Sequence, residues 1–345
     1  MKELYRETER EKAIKLIKNT ALFSNAKGGR ILKYKGKDYT KDEILMDGIN
    51  NVYETIRDDV LNYFKKNKIS FWHVKGTSEP TDQPTGHTLS SQICCVNHLF
   101  PIRNDEKEVL KIAKMFCPDI KEVLKIPTDK YEEAFIQFEA VSDTDHLNER
   151  NTTRGSVCTS IDALIYGILE NGKKIILPIE WKYTEQYERE DKSIEDRKSE
   201  PKGNESRGKE RLRRYTGLIE KSKYLKKLKE YRSSIYFFEP MYQLMRQTLW
   251  AEQMIQNKKT ETIKADDYVH IHIIPKENLP LLFEDIKIKD RGLEQTWKDC
   301  LLKKDKYRII EPKAIIECLD NNKYNNLINY LTKRYWREYK KELEQ

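Results

Sequence analysis

Two apolar runs separated by a short polar turn constrain the fold of this chain more than any other feature. Residues 160–169 and 174–183 are rich in β-branched and aromatic side chains, and the intervening sequence, ENGK at 170–173, contains Asn-Gly. Asn-Gly between two such runs is a strong hairpin signal. We therefore expect two adjacent antiparallel strands here.

The length of the turn decides which side chains meet across this hairpin. A two-residue Asn171-Gly172 turn would place Asp162 opposite Trp181, with Glu180 on the other face of the sheet. A three-residue turn, with Gly172 left-handed and forming a bulge, would place Asp162 opposite Glu180. Pro178 cannot donate a ladder hydrogen bond and signals a further irregularity. The spacing alone leaves both registers open.

The second register would bring two carboxylates and Lys182 to one face. Oxygen ligands suit Mg²⁺ (with Mn²⁺ as a substitute), and such a site suits phosphodiester hydrolysis, in which Lys182 positions the water or stabilises transition-state charge. Glu139 on the preceding apolar run is a candidate third ligand, and Glu185 a supporting residue. The alternative is a salt-bridged Asp-Lys-Glu cluster with only a structural role.

The rest of the chain predicts a mixed α/β fold. Further strand-like runs cover 134–141, 234–238 and 268–274, and helical periodicity covers 44–64, 87–99, 105–116, 207–231 and 242–256. We expect an N-terminal helical region (1–85), a core (86–278) and a C-terminal helical region (279–345). The polar stretch 185–206 has few apolar anchors and is interpreted as a mobile loop.

The positive charge is concentrated in one segment. The chain has a formal net charge of +8, and residues 202–232 alone carry twelve basic and four acidic residues, which is also +8. Phosphate contacts supply most of the affinity for nucleic acids, so this segment is a candidate DNA-binding face; a solvated lysine-rich helix is the alternative. The candidate contact residues are Arg207, Lys209, Arg211, Arg213, Arg214 and Arg246.

Other sequence features exclude some classes of protein. No apolar stretch is long enough to span a membrane and the N-terminus lacks a secretion signal, so we expect a cytoplasmic location. The six cysteines form no CxxC pair, as in reduced, buried thiols. His87, Cys94 and His98 could share a helical face and bind zinc, although a buried, satisfied histidine is commoner.

The order of these motifs resembles a known superfamily. Asp162 followed by Glu180-Trp181-Lys182 resembles the PD-(D/E)XK nucleases, with Ile161 in place of the proline. The blocks 86–100, 154–165, 179–185 and 242–252 are similar to a bacterial family of restriction endonucleases. The resemblance implies a restriction-endonuclease-like core, a metal held by Asp162 and Glu180, Lys182 as the catalytic lysine, and Glu139 and Gln92 as supporting residues.

Together these features predict a Mg²⁺-dependent endodeoxyribonuclease of the restriction type that cuts duplex DNA at specific sequences. By analogy it would act as a homodimer, with a cognate methyltransferase as a further partner. The alternatives are a repair, resolvase or defence-effector nuclease on structured or single-stranded nucleic acid, and a catalytically silent DNA-binding module of the same fold. A further alternative is a scaffold protein whose basic helix binds an acidic protein.

Overall fold

The computed structural model describes residues 4–19, 21–127, 133–149, 158–187, 191–194, 206–284 and 291–336. The helices in these ranges are α1 (Leu4–Asn19), α2 (Arg57–Lys66), α3 (Ser91–Leu99), α4 (Glu106–Phe116), α5 (Arg207–Lys221), α6 (Met241–Gln256), α7 (Gly292–Cys300), α8 (Pro312–Glu317) and α9 (Asn321–Leu331). The strands are β1 (Gly28–Tyr34), β2 (Lys37–Leu45), β3 (Ile120–Leu124), β4 (Ile136–Ala140), β5 (Ile161–Leu169), β6 (Lys174–Trp181), β7 (Asp267–Tyr268), β8 (His270–Ile273) and β9 (Tyr307–Ile310).

Seven of these strands form one mixed sheet. Its order is β3-β5-β6-β8-β9, with β4 also paired to β5 and β7 to β6. The β3, β4, β5 and β6 pairings are antiparallel, whereas β6, β8 and β9 run parallel. The expected α/β fold, a mixed sheet flanked by helices with further helices at both ends of the chain, is confirmed.

The hairpin of β5 and β6 adopts the register of the three-residue turn. Ala163 lies opposite Ile179, and the Leu169 N–H donates to the Lys173 carbonyl at 2.9 Å. Gly172 has a φ of 80°, a left-handed conformation that glycine adopts without steric cost. This register sets Asp162 across from Glu180, which confirms the second alternative.

Each face of the sheet packs against its own set of helices. One hydrophobic cluster joins Ile175, Leu177 and Ile179 of β6 to residues of α2, α3, α4, α8 and α9. The second hydrophobic cluster joins Ile176 of β6 and residues of β5 to residues of α5, α6 and α7. Because β6 is covered on both faces, it is apolar almost throughout, as expected of a central strand.

Three elements differ from the sequence-based expectation. Residues 235–237 form a 3₁₀ turn rather than a strand, and helix α5 ends at Lys221 rather than continuing to 231. The 44–64 region is not one helix, because Asp47 caps a short 3₁₀ turn through the Ile49 N–H and a regular helix begins only at Arg57. Most of the supposed mobile loop, 188–190 and 195–205, lies outside the described residues.

Strands β3 and β9 were not predicted, because each is short and gains its order from the neighbouring strand.

Both terminal regions contribute to the first cluster, through Ala13 near the start and Leu331 near the end. The boundaries proposed at 85/86 and 278/279 stay a prediction. Within the described ranges, no helix is both long and apolar enough to cross a bilayer.

Candidate active site

Three carboxylates lie in one row across three neighbouring strands. On β4 and β5, Phe138 pairs with Ala163 and Ala140 with Ile161, so Glu139 lies beside Asp162, which in turn lies across from Glu180. Glu139 and Glu180 are each only 3% exposed. All three side chains line one cavity of about 460 Å³. The structure therefore brings together the acidic residues that the sequence marked.

Glu180 is held by side chains from its own strand and from helix α6. Its Oε1 accepts hydrogen bonds from Lys182 Nζ and from Gln243 Nε2, each at 2.6 Å, and its Oε2 accepts from Gln247 Nε2. Gln243 Oε1 also accepts from Lys182 Nζ at 2.8 Å. Gln243 and Gln247 are one helical turn apart, so α6 presents both to the same carboxylate.

Glu139 is fixed by the helix on the opposite side of the cavity. Gln92 at the start of α3 donates to Glu139 Oε1 at 2.7 Å, and Ser160 Oγ donates to Oε2 at 3.0 Å. Gln92 Oε1 in turn accepts from the Trp72 N–H at 3.0 Å. Glu139 itself has a φ of 48°, a conformation that costs a non-glycine residue about 1–3 kcal/mol and often occurs at functional sites.

The acidic row raises the proton affinity of its central member. Burial, together with the nearby carboxylates of Glu180 and Glu139, raises the pKa of Asp162 well above its usual value. Lys182 and the Trp181 N–H, which donates to Asp162 Oδ2 at 2.7 Å, oppose this shift only in part. The site thus has an excess of negative charge that a cation would relieve.

Lys182 is positively charged in this setting. Burial disfavours its ammonium form, but the Glu180 carboxylate and other nearby groups outweigh that effect, and its pKa lies well above the usual value. A lysine that keeps its proton can donate hydrogen bonds and stabilise developing negative charge. It cannot act as a general base.

The donor set at the row fits a hard divalent cation. Among the residues that the structure describes, no three His, Cys, Asp or Glu side chains are grouped closely enough to hold a metal ion by themselves. Mg²⁺ needs fewer protein ligands, because it is usually held by one or two carboxylates together with waters and substrate phosphates. Asp162 and Glu180, facing one cavity with unbalanced charge, meet that requirement.

A second cavity, of about 360 Å³, adjoins the first and is basic. Arg211 and Arg214 of α5 and Arg246 of α6 line it, and Trp72, Ser160 and Gln243 line both cavities. Its arginines come from two helices that are separate in the sequence. This arrangement can hold an anionic group beside the acidic row.

A buried carboxylate sets the position of Arg246. Glu149 Oε1 accepts from Arg246 Nη2 at 2.9 Å and from the Tyr215 hydroxyl at 2.7 Å. Arg211 and Arg246 each lie 5.6 Å from the ring centre of Tyr242. The Nε of Arg214 is buried and, among the described residues, has no hydrogen-bond partner.

The other predicted DNA contacts are not brought into either cavity. Arg207, Lys209 and Arg213 lie on α5 with exposed side chains and line neither the acidic nor the basic cavity. Glu185 lines the acidic cavity, where its Oε2 accepts from the Tyr183 N–H at 2.7 Å. Of the basic side chains proposed on α5, therefore, Arg211 and Arg214 line the cavity that adjoins the acidic row, and the other three do not.

The histidine and cysteine cluster has ordinary internal partners. His98 Nδ1 lies 2.7 Å from the Cys94 carbonyl, and its Nε2 accepts from Trp336 Nε1 at 2.9 Å. Burial lowers the pKa of His98 to about 3 and raises that of the Cys94 thiol. This is the arrangement of a satisfied core histidine beside a protonated thiol.

Sequence reasoning missed several residues that border the acidic cavity. Arg6 reaches it from α1 and Trp72 from the segment before α3, while Ser160 precedes β5. Gln243 and Gln247 lie within the helix predicted at 242–256. Their i, i+4 spacing was the available signal, but nothing local indicated that this face meets Glu180.

The mixed sheet is flanked by helices, with Asp162 and Glu180 on its central hairpin, Lys182 directly after it and Glu139 on the strand beside it. This arrangement is consistent with a restriction-endonuclease-like α/β core. Comparison with known families agrees with this class. The family described as "Restriction Endonuclease associating with ARP" matches residues 18–336, and the chain belongs to this family. No curated protein and no solved structure matches the chain significantly.

Proposed function

We propose that this protein is a Mg²⁺-dependent endodeoxyribonuclease of the PD-(D/E)XK type that hydrolyses phosphodiester bonds in duplex DNA at specific sequences. The observation that carries the proposal is the row of Glu139, Asp162 and Glu180 in one cavity with protonated Lys182. Membership of a restriction endonuclease family supports DNA as the substrate.

In this proposal Asp162 and Glu180 hold the divalent ion, with Glu139 as the third acidic group. When bound, the ion lowers the pKa of a water and polarises the phosphoryl group. A water oxygen adds to phosphorus and one P–O ester bond breaks, leaving a phosphate monoester and a hydroxyl at the cut ends. The Lys182 ammonium stabilises the negative charge that develops, Gln92 and Gln243 keep Glu139 and Glu180 in place, and Glu185 is a supporting residue in the wall of the same cavity.

The basic cavity is proposed to hold a DNA phosphate next to the one that is cut. Arg246, held by Glu149, and the two arginines of α5 supply donors for that group. The exposed Arg207, Lys209 and Arg213 would extend the backbone contacts along α5. By analogy, the enzyme acts in the cytoplasm as a homodimer, so that two sites cut the two strands, with a cognate methyltransferase as partner.

The test is metal-dependent cutting by matched variants. We expect Asp162→Asn, Glu180→Gln and Lys182→Ala each to reduce cleavage of long duplex DNA in Mg²⁺ by at least ~10³-fold, while binding in Ca²⁺ changes little. Lys173→Ala, at the far end of the same hairpin, serves as the control. Discrete fragments from the wild type would show specificity, and full cleavage by the Lys182 variant would refute the mechanism.

A second candidate function is a DNA-binding module of the same fold without catalysis. It is favoured by the contacts of Glu180, whose two oxygens are already occupied by Lys182 and two glutamines. Under this alternative Mg²⁺ would not raise the melting temperature and no DNA would be cut. A thermal shift with Mg²⁺ that disappears in Asp162→Asn favours the nuclease instead.

A further inference from the structure

A two-stranded ribbon lies outside the main sheet near the start of the chain. Strands β1 and β2 form a two-stranded sheet, with Leu32 opposite Tyr39 and Tyr34 opposite Lys37, and near its end β2 also bridges to His87 through Ile44. Lys35 and Gly36 both have positive φ and form the tight turn at its tip. At ~3.3 Å per residue, five residues from the tip toward the body give the ribbon a length of about 17 Å.

This ribbon is strongly basic. Residues 27–41 contain six basic residues and one acidic residue, a net charge of +5. The lysines nearest the tip, Lys33, Lys35 and Lys37, are all exposed. The formal charge of this segment is thus second to that of the 202–232 region, and it lies on an element whose residues 33–40 are all exposed.

One face of the ribbon also exposes aromatic side chains. Strand pairing places Leu32, Tyr34, Lys37 and Tyr39 on the same face, and the two tyrosines are 56% and 43% exposed. These large exposed side chains on a charged ribbon have no role in the core of this molecule. Such a combination is typical of a binding surface.

The ribbon is connected to the wall of the acidic cavity. The Lys33 N–H donates to the Gly76 carbonyl at 2.9 Å. The acidic cavity is lined by Trp72, His73 and Val74, which come only a few residues before Gly76 in the sequence. The ribbon is therefore hydrogen-bonded to a segment that leads directly into the wall of the acidic cavity.

We propose that this ribbon enters the major groove of duplex DNA beside the cut site, an inference that rests on the proposed nuclease function. The B-form major groove, ~12 Å wide, admits a two-stranded β-ribbon. The lysines at the tip contact phosphates on the groove walls, and Tyr34 and Tyr39 contact base edges. Double-stranded RNA fits poorly, because its major groove is deep and narrow.

The first test measures how DNA binding depends on salt. Binding to a duplex is followed in EDTA, where no metal-dependent cutting occurs, for the wild type and for Lys33→Gln/Lys35→Gln/Lys37→Gln. Each lost phosphate contact lowers the slope of log K against log salt by ~0.9, so we expect a decrease of about 2 to 3. The control replaces three exposed lysines on α4 and β3, Lys107→Gln/Lys114→Gln/Lys121→Gln, and should leave the slope unchanged.

The second test locates the ribbon on the DNA. Protection of guanine N7 from dimethyl sulfate reports on the major groove. Tyr34→Ala/Tyr39→Ala should lose one block of protection, while the rest of the footprint and the far-UV spectrum stay unchanged. Tyr34→Phe/Tyr39→Phe retains the rings and should keep part of that block.

An unchanged slope together with an unchanged footprint would overturn the ribbon proposal. If the lysine variant instead changed the oligomeric state of the protein, the ribbon would be a contact between copies. Failure of the wild type to bind or cut DNA would count against the proposed function itself. If the wild type binds and cuts DNA and the ribbon variants behave in the same way, only the ribbon proposal would be rejected.

Discussion

At the scale of single residues, the arrangement around Glu180 depends on two glutamines of α6. Gln243 and Gln247 donate to its two carboxylate oxygens, while Lys182 supplies the charge-assisted bond. A glutamine amide carries no charge, so it orients the carboxylate without neutralising it, and Oε2, which accepts only from Gln247 among the described residues, keeps a lone pair for a cation. Groups of this kind control how well a metal is bound.

Replacing these glutamines should therefore weaken the use of the metal. We expect Gln247→Leu to raise the Mg²⁺ concentration for half-maximal cleavage by about 10- to 100-fold, since Glu180 Oε2 loses its donor. Metal titration of cleavage rates measures the effect. Gln253→Leu, nearly three turns (~2.8) from Gln243 on the same helix, is the control. An unchanged Mg²⁺ requirement in Gln247→Leu would argue against an orienting role.

We expect Asp162 to make the stability of the metal-free protein depend on pH. Its folded-state pKa is raised by burial and by the neighbouring carboxylates. The folded protein then binds a proton that the unfolded chain releases, so this contribution to stability is present at low pH. It is lost as the pH rises from the ordinary Asp value, ~4, through the raised folded value.

Asp162→Asn should consequently be more stable than the wild type in EDTA, and the difference should grow as the pH increases above ~4. Each unit of pKa shift corresponds to ~1.4 kcal/mol in the free energy of unfolding. For a chain of this size, that difference raises the melting temperature by several degrees at most. Melting curves from pH 4 to 8 measure it. Asp119→Asn, an exposed position, should show no such trend, and a wild type that gains stability over Asp162→Asn with pH would contradict the assignment.

At the scale of elements, α5 owes its place to a close backbone approach. Ser206 caps its first turn through the Lys209 N–H. A Cβ at Gly208 would lie 2.2 Å from the Ser193 carbonyl, so only glycine lets the helix pack there. Since α5 carries Arg211 and Arg214, this contact also places the basic cavity.

Two glycines of α5 provide a matched pair of substitutions. Gly208→Ala should lower the free energy of unfolding by more than ~1 kcal/mol and weaken DNA binding, because the helix must move. Gly217→Ala faces open space and should instead stabilise the protein by about 0.5–1 kcal/mol. Urea unfolding and DNA affinity measure both. Equal effects at the two positions would show that the approach to Ser193 is not tight.

At the scale of the whole molecule, buried hydrogen bonds connect residues near the start of the described chain to residues near its end. The Lys12 Nζ of α1 donates to the Tyr335 carbonyl at 2.8 Å. Arg334 is 3% exposed, and its guanidinium donates to the Asn51 carbonyl at 2.5 Å and to the Tyr330 hydroxyl. The terminal regions and the sheet therefore share one set of buried contacts, and we expect them to unfold together.

Arg334→Met should test this coupling. We expect it to reduce the free energy of unfolding by ~3 kcal/mol, because buried acceptors on Asn51 lose a charged donor. Tryptophan fluorescence and far-UV circular dichroism should follow one shared transition in urea. Arg291→Met, at an exposed ion pair, should change stability by less than ~0.5 kcal/mol. Separate transitions for the two probes in the wild type would indicate independent domains.

The sequence by itself determined the central hairpin and the chemistry of its side chains. A turn of polar residues with Gly172, and runs rich in β-branched and aromatic residues on both sides of it, are local patterns. They limited the register to two choices, of which one aligned Asp162 with Glu180. Helices α4 and α6, predicted at 105–116 and 242–256, follow from equally local signals, whereas α3 begins at Ser91 rather than at residue 87.

Only the tertiary structure decided what meets this hairpin. The approach of Gln243 and Gln247 to Glu180, the pairing of Gln92 with Glu139, and the basic cavity between α5 and α6 all join residues dozens of positions apart. Such contacts depend on how whole faces pack against each other, and the period of a sequence records which face is apolar but not its partner. The same limit explains why β9 and the place of the ribbon beside the cavity could not be predicted.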